Sequence, residues 1–172
     1  MTTRHLQGFT IIELMAVMVV VAILATLAAP NLREMIARVR LKTAAGDLHT
    51  SLFYARSEAV KRNAGVTVVP VDATDWSKGW SVQIQAGGTV LTRQDPYPQI
   101  AVSTRNAAYV ATSVPSVIFS GSGRETGSGG AGIAFVFTSP QSPTSPARCV
   151  ILDPSGRPKV SQDGNGDPSD GC

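Results

Sequence analysis

Histidine is nearly missing from this chain: 172 residues contain only His5 and His49. His49 has no second histidine at metal-ligand spacing, so a solvated helix residue is the simpler reading. Nucleophile chemistry has no better footing. Ser120-Gly121-Ser122-Gly123 does not form the G-x-S-x-G elbow, and the glycines at 121, 123, 127, 129 and 130 make no phosphate-binding fingerprint. Charged residues make up only 16%, with a net charge of +3 and a pI near 9.1. That is a mild basic excess, not a nucleic-acid-binding composition. No internal repeat is visible. The sequence gives no support to an enzyme and calls for no cofactor.

What is present is an apolar run. From Leu14 through Ala29 the only polar side chain is Thr26, and Pro30 follows. Counted from Phe9, about 21 residues rising roughly 1.5 Å each would span about 30 Å, the thickness of a bilayer core. Near its start sits one carboxylate, Glu13. A lone charge in a lipid-compatible helix is costly, so a functional partner is expected. An ordinary secretory signal would be cut near Ala28 or Ala29. That reading puts a glutamate beside the apolar core and a proline just after the cut. A plain membrane anchor fits the length but leaves Glu13 unexplained.

The stretch Gly8-Phe9-Thr10-Ile11-Ile12-Glu13-Leu14, with the run to Ala29 and Pro30, resembles the class III leader and N-terminal helix of type IV pilins and type II secretion pseudopilins. The resemblance implies that a prepilin peptidase cuts after Gly8 and methylates the new terminal residue, Phe9. It also implies that Glu13 pairs with the N-terminal amine of a neighbouring subunit. His5 would leave with the leader.

Basic residues give a conflicting topology signal. Arg4 and His5 precede the run, whereas Arg33, Arg38, Arg40 and Lys42 follow it. By the positive-inside rule that would keep the following domain in the cytoplasm. The four cations are also explained as a helix surface meeting lipid headgroups or neighbouring subunits. Cysteine usage favours export. Cys149 and Cys172 are most simply a disulfide in an exported domain, and a cytoplasmic protein would seldom need that clip. It would close a loop of about 24 residues and stabilise by roughly 3 kcal/mol in the chain-entropy model.

The organisation expected is a leader at 1–8, a transmembrane or fibre-core helix at 9–30, an amphipathic continuation at 31–63 and a globular β domain at 64–172. Leu41, Ala44, Ala45, Leu48, Leu52, Ala55 and Ala59 recur at spacings of three and four and line one helix face. Lys42, Asp47, Arg56, Glu58, Lys61 and Arg62 are expected on the solvent side. Pro30 removes a backbone donor and should kink the helix, and Asn63-Ala64-Gly65 supplies the stop. Strands are expected at 66–71, 80–85, 89–93, 99–103, 117–119, 133–138, 149–152 and 159–161. Ala86-Gly87-Gly88 marks a hairpin between the second and third. Residues 121–132 and 139–146, rich in Gly, Ser and Pro, read as mobile loops.

Leu52-Phe53-Tyr54-Ala55-Arg56-Ser57-Glu58-Ala59-Val60-Lys61-Arg62-Asn63, then Trp76-x-x-Gly79-Trp80 and Gly156-Arg157 before the final cysteine, resemble the FimT/GspH (FimU-like) branch of minor pilins and pseudopilins. The resemblance implies an α+β fold, with one long helix packed on an antiparallel β domain. The implied partners are other major and minor pilins, the peptidase and an inner-membrane assembly platform. The implied setting is the inner membrane of a Gram-negative bacterium with the β domain periplasmic, and then an extracellular pilus.

Two further sites are candidates. Gly156-Arg157-Pro158-Lys159, with Arg148 near in sequence, resembles the G-R-x-R element of FimT proteins that capture DNA; DNA is therefore a candidate partner through phosphate contacts. Lys159 replaces the second arginine, and Asp153, Asp163, Asp167 and Asp170 surround the cations. A hairpin turn with solvated charges is the simpler reading. Asp163, Asn165, Asp167 and Ser169 space oxygen ligands like the first half of an EF-hand loop, but Pro168 stands where the turn glycine belongs.

Overall fold

The computed structural model describes residues 9–106, 108–128 and 131–164, apart from the side chains of 27–31. One helix dominates. α1 runs unbroken over Ile11–Arg62. Thr10 caps its start: the Thr10 hydroxyl accepts from Glu13 N at 3.3 Å, and Thr10 N donates back to the Glu13 carboxylate at 3.5 Å. This is the reciprocal capping box that an S/T-x-x-E pattern forms. Asn63, at φ 49°, turns the chain out of the helix, as a short polar side chain tolerates.

The strands are β1 (Val66–Asp72), β2 (Asp75–Ile84), β3 (Val90–Gln94), β4 (Ala101–Asn106), β5 (Val117–Phe119), β6 (Ile133–Thr138), β7 (Arg148–Leu152) and β8 (Pro158–Gln162). Each expected strand is found, with ends shifted by a few residues. The largest shift is in β2, which begins five residues early and so takes in Trp76. They form two antiparallel four-stranded sheets, ordered β3-β2-β1-β5 and β4-β6-β7-β8. Gly87 and Gly88, both at positive φ, close the β2–β3 hairpin, where Gly88 N donates to Ile84 O at 3.1 Å.

Both sheets pack against the second half of α1. Leu41, Ala44, Ala45, Leu48, Leu52, Ala55 and Ala59 are all fully buried in one core with Trp76, Trp80, Phe119, Phe135 and Phe137. The small alanines let the strands approach, while the leucines fill between them. Trp76 meets Phe135 edge-on at 4.8 Å, and its indole N–H donates to Val114 O at 2.9 Å. Trp80 stacks on Tyr97, whose hydroxyl donates to Asp47 at 2.6 Å.

Three expectations need correction. Glu58 is not on the solvent face: it is only 7% exposed and takes Arg62 Nε at 2.7 Å and Lys61 Nζ at 3.4 Å. Those cations let a carboxylate sit at the edge of the core. Arg56 and Asp47 are half-buried, each held by a loop residue, Gly123 and Tyr97 respectively. The segment 121–132 is tied down where it is described. Arg56 Nε donates to Gly123 O at 3.0 Å. The buried Glu125 accepts from the backbone N–H of Gly127 and Ser128 at 2.5 and 2.8 Å.

Candidate functional site

The first half of α1 has no protein to pack on. Phe9 is 88% exposed, and Ile11, Ile12, Leu14, Met15, Met18, Val19 and Leu24 are all more than half exposed. An apolar rod of this kind marks a surface to be covered by lipid or by other protein. Among the described residues, no helix is long and apolar enough to cross a membrane. The expected span at 9–30 runs past Thr26 into residues 27–30, whose side chains are outside the description.

Glu13 is the one charge on this rod. In the single chain its carboxylate is engaged by Thr10 N at 3.5 Å, the outer limit of a hydrogen bond. A contact that long is readily exchanged for a cation at closer range. Gly8 lies outside the described residues; Phe9, at the other side of the expected cut, is exposed and accessible. The expected kink falls at Pro30, whose side chain is outside the description, and the backbone there is helical.

The candidate DNA-binding cations do not converge. Arg148 pairs with Gln162 across β7–β8, and Lys159 pairs with Ile151. Directly paired residues share a face and successive residues alternate, so Arg148 and Lys159 lie on opposite faces of the sheet. Arg157 is exposed at the turn between the strands, and its backbone N–H donates to Asp153 at 3.2 Å. The Ser155 hydroxyl, at 2.5 Å, and then the Arg157 and Ser155 backbone and the Arg157 charge hold the Asp153 carboxyl below its ordinary range. A formed carboxylate thus stands beside the one exposed turn cation.

Gly156 has a packing role that sequence alone does not disclose. It is buried at φ 79°, and a Cβ there would lie 2.2 Å from Gly123 O. Only glycine lets the β7–β8 turn close over the 120s segment. The pairing of φ with a distant carbonyl left no local signal.

Cys149 is fully buried and disulfide-bonded, packed with Val136, Ala147 and Ile151 on the far side of the second sheet. Cys172 lies outside the described residues. So do Asn165, Asp167 and Ser169 of the candidate calcium loop, while Asp163 is buried beside the end of β8. Among the described residues no three His, Cys, Asp or Glu side chains converge on a metal position. His49 is half-buried on α1.

Two family models match the chain. That of the type II transport protein GspH covers residues 44–156, and the prokaryotic N-terminal methylation motif covers residues 3–29. Among solved structures, the type IV minor pilin FimU of Pseudomonas aeruginosa superposes with a TM-score of 0.59 at 23% identity, over 77% of this chain and 91% of that one. The minor pseudopilin EpsH of the Vibrio cholerae type II secretion system gives 0.55 at 11% identity, over 73% and 99%. At those identities the superpositions establish the fold alone. Comparison with curated protein sequences gives no significant match. The family and the methylation motif imply a structural subunit that is anchored in the membrane and then carried in a fibre. On the match over most of its globular domain, joined to an N-terminal methylation motif and a long helix on a β domain, the chain belongs to the FimT/GspH family of minor type IV pilins and type II secretion pseudopilins.

Proposed function

We propose that the chain is a minor subunit of a type IV pilus, built in near the tip with other minor pilins, where it helps to start assembly. Its work is mechanical and involves no enzymatic step. Prepilin peptidase cuts between Gly8 and Phe9, the processed rod waits in the inner membrane, and the assembly platform moves it into the fibre. There the exposed apolar side chains of residues 9–26 exchange lipid for neighbouring helices.

The observation that carries this reading is the exposed rod with a single, loosely held carboxylate at its tip. An unpaired charge buried among apolar helices costs several kcal/mol, so Glu13 admits only the register that brings it a cation. The free amine of Phe9 on the adjacent subunit has the right sign and size. The test is Glu13→Ala. Leader cleavage and membrane insertion are expected to persist while the amount in sheared fibres falls. Undiminished incorporation would refute the role.

A second reading, a pseudopilin of a type II secretion system, is favoured by the match of residues 44–156 to GspH. It uses the same parts. Neighbouring genes separate the two, as pilus-tip genes or secretin-linked secretion genes. DNA capture would rest on Arg157 and Lys159 alone, and an Arg157→Ala/Lys159→Ala change that leaves DNA retention untouched dismisses it. A disulfide between Cys149 and Cys172 belongs to the proposal too.

A further inference from the structure

Where the apolar rod meets the β domain, α1 and two loops enclose a cleft of about 520 Å³. Its helical wall carries Arg33, Ile36, Ala37 and Arg40; the opposite wall carries Gln99, Ile100 and the turn 139–142. Arg33 and Arg40 are seven residues apart, two helical turns on one face, roughly 10 Å along the axis. Neither has a carboxylate partner among the described residues, whereas the neighbouring Arg38 is bound to Glu34 at 2.6 Å. Arg40 donates to the Gln99 side chain, which holds its guanidinium over the cleft and leaves most of its five N–H donors open. The floor between the two cations is apolar, from Ile36, Ala37 and Ile100.

We infer that this cleft binds the phosphate of an anionic phospholipid headgroup while the subunit waits in the membrane. The inference rests on the proposed membrane-stored subunit. Three observations select this occupant. The apolar run ends at Ala29, so Arg33 stands about 6 Å further along the helix, within the headgroup layer. Long helical side chains lean toward the helix N-terminus, here toward the bilayer, so Arg40 faces back along the cleft toward Arg33. A guanidinium pair over an apolar floor matches a phosphodiester joined to glycerol and acyl carbons better than it matches a hydrated free anion. The inference also accounts for the misplaced charge of the sequence. Cations on the exported side work against the positive-inside bias, and a headgroup site gives two of them a reason to be there.

The test uses the full processed chain in nanodiscs of phosphatidylcholine with a minority of phosphatidylglycerol, at low ionic strength. The protein is then extracted with its retained lipids, and both the lipids and the N-terminus are read by mass spectrometry. Phosphatidylglycerol is expected to be enriched over the input. The selectivity should fall about fivefold for each arginine replaced, in Arg33→Gln, Arg40→Gln and the double variant. Arg38→Gln should retain it. Excess soluble glycerol phosphate should not displace the lipid; displacement at matched concentration would make this a free phosphate-ester site and overturn the assignment. Equal retention of the two lipids, or a double variant with unchanged selectivity, overturns it as well. If that double variant instead loses only fibre incorporation, the cleft serves a neighbouring subunit's carboxylate. A wild-type chain that begins elsewhere than Phe9 or stays out of the nanodisc defeats the stored-subunit reading itself, and the N-terminal spectrum distinguishes that failure from loss of selectivity.

Discussion

Replacing Gly156 by alanine should cost more than its place in a surface turn suggests, because the residue is buried there. Two terms can be read from the structure. At φ 79° a residue with a Cβ is in the left-handed region, which costs roughly 1–2 kcal/mol. The new Cβ would also lie 2.2 Å from Gly123 O, against about 3.3 Å for a tolerable carbon–oxygen contact. Something must move by about 1 Å. Gly123 is itself at φ 76° and its carbonyl accepts Arg56 Nε at 3.0 Å, so a retreating loop strains that bond, which as a charge-assisted contact contributes about 1.5–3 kcal/mol. The expected total is about 2.5–5 kcal/mol, a large share of the roughly 5–15 kcal/mol that keeps a domain folded. Urea unfolding of the mature chain in detergent, followed by tryptophan fluorescence, reads it through the buried Trp76 and Trp80. Arg56→Gln supplies the other corner of a double-mutant cycle, and the two changes should be clearly less than additive, because both lose the same contact. A Gly156→Ala cost below about 1 kcal/mol, or strict additivity with Arg56→Gln, would refute the close-packing role.

Two further perturbations test the charge and hydroxyl contacts along α1. Tyr97 loses water by burial and donates to Asp47, and both raise its phenol above the ordinary value of 10.0. The folded state thus holds that proton more tightly than the unfolded one; its contribution is complete below about pH 10 and is lost as pH rises further. Tyr97→Phe should cost about 1–2 kcal/mol near neutrality, and its deficit against wild type should shrink between about pH 10 and 12 in chemical denaturation. Constancy across that window would contradict the contact. Glu58 is held below its ordinary value first by the Arg62 hydrogen bond, with Lys61 adding to it against some desolvation. Its stabilisation is present above the unfolded carboxylate pKa of about 4.3 and is lost as pH falls through the lower folded value. The advantage of wild type over Glu58→Gln should therefore narrow below about pH 4, and a difference that widens with acid would show the pairing misassigned.

The helix and strands were legible because they rest on local pattern. Leucines and alanines at three- and four-residue spacing announced the buried face of α1, and alternation around Trp80 and Val82 announced a half-buried strand. The division into two sheets was not, since it depends on β5 returning to β1 and β4 passing to β6 across long stretches of chain. No local residue records such pairings. Glu58 read as solvent-facing because its type predicts exposure, and only the three-dimensional placement of Arg62 and Lys61 over it reverses that. Arg56 and Gly156 were noticed as parts of a family pattern, but their shared dependence on Gly123 is a contact between segments 67 and 33 residues apart. The 120s segment looked mobile by composition. Composition cannot show that Glu125 folds back to satisfy two backbone donors. Glu13 stood out in one dimension, as a lone carboxylate in an apolar run.

Everything proposed for this subunit depends on a rod that starts at Phe9 and ends up among other rods. Mass spectrometry of the mature N-terminus in purified fibres tests both halves together. The account predicts an N-methylated chain beginning at Phe9 and recovered with the fibre. A chain beginning at any other residue, or one processed at Phe9 but confined to the membrane fraction, would contradict it.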